Sequence, residues 1–449
     1  MTTPVTTAGA EAARFAADLI RIDTTNRGGG DAWERPAAEY VAARLAEAGL
    51  KPVLLESAPG RANVVARVSG TEVSGTGPGA GALLLHGHLD VVPADPSSWS
   101  VHPFSGEIRD GVLWGRGAVD MKNADAVLLA VVSQWARSGR RPRRDIVLAF
   151  TADEEDTAEF GARWLVQRHP ELFEGCTEAI GESGAFTFHA APGQRLYPIA
   201  SAERGTAWVK LTARGRAGHG AKPNAENAVT RLAGAIVRIG AYQWPVRLIP
   251  TVRAAVEAIA ASAGTQIPPE ALTGGLTADE LLARLGPAAP LVAGTVRNSA
   301  NPTMLQAGYK INVIPDEAVA YVDGRVLPGY EDEFRSTLDE LTGTDVTWEH
   351  AHAEIPLEAP LDAPVMASMA QALLAEDPGS TIVPYCMSGG TDAKHFSRLG
   401  MTCYGFTPLV LPEGYDYYAM FHGTDERIPL SALESGVRIM DQFLTTAAP

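Results

Sequence analysis

Residues 83–90 read Leu-Leu-Leu-His-Gly-His-Leu-Asp and run on into Val91-Val92-Pro93. Three leucines give way at once to two histidines and a carboxylate. A strand of a parallel sheet is buried on both faces, so it stays apolar until it reaches its carboxyl edge, where open α/β sheets bind their ligands. On an extended backbone His88 and Asp90, two apart, share a face. That spacing suits a metal-bound imidazole held by a carboxylate behind it. Taken alone, the stretch is equally an ordinary strand end with solvated polar residues.

Other stretches end in the same way. Residues 145–151 form a second buried strand that stops at Asp153-Glu154-Glu155-Asp156. Acids crowded at a strand end repel one another, and a bound cation is a natural reason for them to be there. Residues 178–180 stop at Gly181-Glu182-Ser183-Gly184, and a glycine-punctuated turn over 110–117 leads to Asp120 at the head of a long Ala/Val/Leu helix. An aromatic segment holding Tyr415, Tyr417, Tyr418 and Phe421 precedes His422. Read as strand ends, His88, Asp120, Glu154-Glu155, Glu182 and His422 pool imidazoles and carboxylates, a nitrogen and oxygen set suited to a pair of zinc-like ions. Two such ions can clamp a hydroxide and an amide carbonyl.

The chain has 449 residues, long enough for two domains. Its apolar content of 46% and charged content of 20% are those of a soluble globular protein. With 37 basic and 53 acidic side chains the net charge is −16. This argues against nucleic acid and anionic membranes as partners. No basic segment leads into an apolar one at the start, and no apolar run reaches the ~20 residues of a membrane span. Cys176, Cys386 and Cys403 stand far apart without a Cys-x-x-Cys, as reduced residues of a cytoplasmic protein do.

The pattern changes near Glu203-Arg204-Gly205. Strands over 207–213, 308–313, 318–326 and 346–350, with helices over 227–240 and 331–341, give the order βαββαβ of a ferredoxin-like sandwich. It is inserted, as residues 204–352, into a catalytic α/β domain made of 1–203 and 353–449. Residues 241–301 are too many for a plain loop and should include local helices such as Ala278–Leu285. Residues 71–81 read as a glycine-rich surface loop.

The motifs together resemble a known family. They are His86-Gly87-His88-Leu89-Asp90, Gly115-Arg116-Gly117-Ala118-Val119-Asp120-Met121-Lys122, Asp153-Glu154-Glu155, Gly181-Glu182, Gly218-His219-Gly220, Asn312-Val313-Ile314-Pro315, Ser388-Gly389-Gly390-Thr391-Asp392 and Phe421-His422-Gly423. The chain is similar over nearly its whole length to the di-zinc amidohydrolases and exopeptidases that include aminoacylase-1, succinyl-diaminopimelate desuccinylase, carboxypeptidase G and yeast carboxypeptidase S. The resemblance implies a mixed-sheet catalytic domain with a ferredoxin-like lid and dimerisation domain, and two divalent ions, zinc first and cobalt or manganese as alternatives. Asp120 would bridge the ions, one of them also held by His88 and Glu182, the other by Glu155 and His422. Asp90 would orient His88, and Glu154 would be the general base for a metal-bridging hydroxide. His219 would reach the site from the partner of a homodimer and stabilise the oxyanion. Asn312 and Arg325 would hold the substrate's carbonyl and carboxylate, with Gly390 and Lys394 as further substrate-binding positions.

Departures from the commoner pattern at Asn123, Ala221 and Lys394-His395, and the long 241–301 insertion, leave the metal site alone but bear on specificity. The expected activity is cleavage of an amide beside a free carboxylate, in N-acyl-amino acids or small peptides. A dipeptidase or carboxypeptidase is the alternative. The reading from another class, a non-catalytic peptide-binding protein on the same fold, would require a lost ligand or base, and none is lost.

Overall fold

Strand Ala82–His88 is buried along its whole length. In this computed structural model, which describes residues 7–72, 81–272 and 275–447, it pairs in parallel with Ile146–Thr151 on one side and Cys176–Gly181 on the other. Thr402–Gly405 continues the parallel run beyond Cys176–Gly181. Antiparallel strands flank this core: Arg61–Val68 and then Val53–Ala58 at one side, Gln194–Glu203 at the other. The sheet is therefore mixed, as expected. Residues 73–80 of the expected surface loop lie outside the described residues.

Alternation along the strand sends Leu83 and Leu85 to one face and Leu84 to the other. Leu83 and Leu85 belong to a core shared with helices Ala8–Arg21, Lys122–Ser138 and Leu430–Thr446. Leu84 packs with Val147, Ala179, Leu165, Phe173 and Phe396 on the opposite face. Both faces are covered, which is why the strand needs an unbroken apolar run. Leu84→Ala is expected to lower the unfolding free energy by about 2–5 kcal/mol. Urea titration should show this as a lower midpoint with an unchanged slope; a loss below about 1 kcal/mol would mean the second layer is not close-packed.

The chain divides into two units. Met1–Ala200, Ala359–Val383 and Thr391–Pro449 form the first, and Ser201–Glu358 with Pro384–Gly390 the second. The short Pro384–Gly390 piece thus goes with the second unit, where the sequence reading put it in the catalytic domain. The second unit carries a four-stranded antiparallel sheet in the order Ser299–Ala307, Glu317–Val326, Gly205–Arg214, Val346–Glu354. Helices Ala228–Ala241 and Glu331–Thr342 supply Leu232, Ala235, Phe334 and Leu338 to its core. This is the ferredoxin-like order.

One strand of that unit departs from expectation. The sequence places it over 308–313, but the strand is Ser299–Ala307, and a turn leads from it to the two-residue strand Val313–Ile314. The observed strand is a sheet edge, exposed along most of its length and interrupted by Pro302, so it lacks the alternation of a half-buried strand. Asn312 consequently lies in a turn. In the long insertion Ala278–Leu285 is helical as read, started by a capping box between Thr277 and Glu280. Pro250–Ser262 adds a further helix there.

Candidate metal centre

The parallel strands bring their acids and one histidine to a common edge. His88 closes Ala82–His88, Glu154 and Glu155 follow Ile146–Thr151, and Glu182 follows Cys176–Gly181. Asp120 and His422 do not end strands, contrary to the sequence reading. Asp120 lies in a turn between Val112–Trp114 and helix Lys122–Ser138, and its peptide bond to Met121 is cis. His422 follows the short 3-10 turn Tyr418–Met420. A glycine-rich or aromatic run that stops at a polar residue looks alike for a strand end and a loop.

Asp120 faces both imidazoles with separate oxygens. Its Oδ1 is 3.1 Å from His88 Nε2, and its Oδ2 is 3.2 Å from His422 Nε2. Glu182 Oε2 lies 3.7 Å from His88 Nε2, and Glu155 Oε2 lies 3.1 Å from His422 Nε2. Glu154 Oε2 stands 3.9 Å from His88 Nε2. By proximity His88, Asp120 and Glu155 form one group able to hold an ion, and His88, Glu154 and Glu182 another.

The electrostatics call for a cation. Burial pushes the carboxyls of Glu154, Glu155 and Glu182 upward, Glu182 to about 7, and the neighbouring acids add to the effect. Burial acts on Asp120 too, but hydrogen bonds with His422 and His88 hold it below the usual carboxylate range. His422 rises to about 10 through hydrogen bonds to Asp120 and Glu155. Glu155 Oε1 is buried without a hydrogen-bond partner among the described residues, a donor left over for an ion. Imidazole nitrogens and carboxylate oxygens without a thiolate suit zinc, cobalt or manganese. The residues fit a pair of divalent ions.

The closest contact of Asp90 with His88 differs from the expected one. His88 Nδ1 lies 2.9 Å from the Asp90 main-chain carbonyl, while the Asp90 carboxylate is 3.6 Å away. That carboxylate accepts the amide N–H groups of Glu154 and Glu155, each at 3.1 Å. His86, the other histidine of the opening stretch, takes no part. It packs on Phe396, and burial drives its pKa down to about 3, so it is a neutral core side chain. Gly181 lies so close that a Cβ there would come 2.2 Å from His86 Cε1, which is why glycine precedes Glu182.

Sequence reasoning missed Glu426. Fully buried, it accepts Arg116 Nη1 at 2.7 Å and the amides of Gly117, Val119 and Asp120 at 3.0, 2.6 and 3.0 Å. It pins the turn that presents Asp120. The only signal was an acid four residues after His422, indistinguishable from an acidic first turn of the following helix.

The remaining candidates divide between the units. His219, Asn312, Arg325 and Gly390 lie in the second unit, and Lys394 in the first, 2% exposed. His219 and Asn312 are exposed, and the Gly220 amide donates to Asn312 O at 2.9 Å. The Arg325 fork is engaged by Asp323, Nε to Oδ1 at 2.8 Å and Nη2 to Oδ2 at 3.3 Å, and its Nη1 donates to Thr206 Oγ1 at 3.2 Å.

A mixed α/β sheet whose parallel edge supplies one imidazole and three acids, met by Asp120 and His422 from adjoining loops, suits a metal-dependent hydrolase. The profile of peptidase family M20/M25/M40 matches residues 84–446, and the chain belongs to that family. It is 28% identical over 371 residues to N-fatty-acyl-amino acid synthase/hydrolase PM20D1 of Xenopus tropicalis, covering 80% of this chain and 71% of that protein. It is 30% identical over 362 residues to probable carboxypeptidase S-like 2 of Dictyostelium discoideum, covering 78% and 68%. Among solved structures, the M20 family metallo-carboxypeptidase Sso-CP2 from Sulfolobus solfataricus superposes with a TM-score of 0.71 at 17% identity, over 97% of this chain and 99% of that one. No helix among the described residues is long and apolar enough to cross a membrane.

Proposed function

We propose that the protein hydrolyses the amide bond of N-acyl-amino acids or small peptides beside a free carboxylate. The observation that carries the reading is Asp120, whose two oxygens face His88 and His422 at 3.1 and 3.2 Å. A pair of divalent ions held by His88, Asp120, Glu155, Glu182 and His422 would supply an activated water and polarise the amide carbonyl. Glu154, whose carboxyl burial and Glu182 keep well above the usual range, takes a proton from the attacking water and delivers one to the leaving nitrogen. Asn312 and Arg325 are assigned to the substrate's carbonyl and carboxylate, and His219, from a second copy of the chain, to the oxyanion. A homodimer is supported by the exposed Met304, Leu305, Tyr309 and Ile311 on and beside the sheet edge. Cys176, Cys386 and Cys403, which form no disulfide with one another, are in keeping with the cytoplasm.

The test is a panel of N-acyl-amino acids and dipeptides, assayed for released amino acid with added zinc, cobalt or manganese. Turnover of N-acyl-amino acids above dipeptides selects the aminoacylase reading, the reverse order the dipeptidase, and no turnover of either class ends the proposal. Arg325→Ala should cost about 2–4 kcal/mol in kcat/KM on a free-carboxylate substrate, the scale of a lost charged hydrogen bond. The loss should be much smaller on the matching methyl ester. Arg325→Lys should behave like the alanine variant, because it loses the fork. Equal losses on acid and ester would mean that Arg325 serves only its pair with Asp323.

A further inference from the structure

Behind Glu154 and Glu155 runs a buried ionic chain that the chemistry above leaves unused. Arg61 forks onto Glu34, Nε to Oε2 at 2.7 Å and Nη2 to Oε1 at 2.8 Å. Its Nη2 also reaches Asp153 Oδ1 at 2.7 Å, and its guanidinium lies over the Phe160 ring, 4.6 Å from the centroid. Asn26 Nδ2 donates to the same Asp153 oxygen at 3.0 Å and to Asp90 Oδ2 at 2.9 Å. Asp90 in turn receives the amides of Glu154 and Glu155. Glu34, Arg61, Asp153 and Asp90 are all at most 2% exposed.

Asp153 has a φ of 66°, in the left-handed region that a non-glycine residue keeps only when its surroundings impose it. Here they do, because Asp153 Oδ2 accepts the Phe160 amide at 3.2 Å while Oδ1 is held by Arg61 and Asn26. From this turn the next two amides reach Asp90, and the side chains that follow are the two glutamates of the centre. The sequence counts Asp153 among acids crowded round a cation, but its carboxylate goes to Arg61 and Asn26. A buried ion pair adds little net stability over packed apolar side chains. What apolar side chains could not do in its place is grip Asp153 and, through Asn26, Asp90.

We propose that Arg61 and Asp153 are positioning residues of the metal centre, fixing through Asn26 and Asp90 the backbone that presents Glu154 and Glu155. This rests on the reading that those glutamates serve the centre. The test uses the full-length protein, with Asp153→Asn, Asp153→Gly and Arg61→Lys, three readouts being taken: cobalt titration of the metal-depleted protein followed by visible absorption, thermal melting, and kcat with KM. Glycine accepts the left-handed backbone freely, and asparagine accepts it while losing the charge. All three variants should weaken at least one cobalt site and lower kcat about 10–100-fold, with KM changed less than about threefold because substrate contacts are untouched. Retention of cobalt affinity and kcat within about twofold in Asp153→Gly would reduce Asp153 to a turn residue and overturn the proposal, the expected loss being tenfold or more. Should Arg61→Lys fail to fold, Asn26→Ala keeps the Arg61–Glu34 pair and cuts the link from Asp153 to Asp90; wild-type cobalt binding there would equally overturn it. If the wild type hydrolyses nothing in the substrate panel, the proposed function fails, while cobalt titration still decides the positioning role.

Discussion

Dialysis against a strong chelator is expected to abolish hydrolysis, and zinc, cobalt or manganese at about two ions per chain to restore it. The reason is the charge arrangement. Asp120, Glu154, Glu155 and Glu182 converge within hydrogen-bonding or near-hydrogen-bonding reach of two imidazoles, and burial makes each uncompensated carboxylate costly. Divalent cations would offset that surplus. Arg116 and Arg61 are committed elsewhere, Arg116 to Glu426 and Arg61 to Glu34 and Asp153. A ligand that binds only the folded state stabilises it by about 2.7 kcal/mol at one hundred times its dissociation constant. The melting temperature should therefore rise with added metal, independently of any substrate. Full activity in a metal-free sample would remove the proposed mechanism, and a melting temperature indifferent to metal would remove the centre. Asp120→Ala, which takes both oxygens away at once, should lower the stoichiometry at both positions.

Much of this centre was legible in the sequence because a parallel sheet forces the matter. Strands buried on both faces must be apolar, so polar residues after Leu85 or Thr151 mark the approach to the sheet's edge, and neighbouring strands place such residues side by side, though the rule alone does not set His88 apart from His86 or Glu154 from Asp153. His88, Glu154, Glu155 and Glu182 follow from that rule. Asp120 and His422 do not, since loops bring them in; as polar residues after glycine-rich and aromatic runs they read as strand ends, and the resemblance to a known family supplied their roles. Less legible still were residues acting through hydrogen bonds to main-chain amides. Glu426 and Asp153 look in sequence like any surface acid near a turn, and nothing in spacing reveals that one carboxylate collects three amides or that the other lies beneath an arginine. In the second unit, the misplaced edge strand has a similar cause. Ser299–Ala307 is exposed along most of its length, so hydrophobic periodicity, the signal that locates strands, was absent.

Glu154→Gln is expected to lower kcat by roughly 10²–10⁴-fold while metal content stays at the wild-type level. The substitution keeps the side chain's shape and removes its ability to carry a proton. It leaves His88 with Asp120 and Glu182, and His422 with Asp120 and Glu155, so both sets of donors survive. Glu155→Gln should do the opposite first. It weakens the donor that lies 3.1 Å from His422, and one ion should be lost or bound weakly, with activity falling as a consequence. The neighbours differ in partner: beyond the turn at Asp153, where both backbone amides donate hydrogen bonds to Asp90, Glu154 lies towards His88 and Glu155 towards His422. Metal analysis and kcat on the same samples separate the two roles. Distance alone also groups Glu154 with His88 and Glu182, which gives the comparison its force. If Glu154→Gln loses an ion, Glu154 is a ligand and the proton is carried by another group; if it keeps both ions and wild-type turnover, Glu154 is neither ligand nor base.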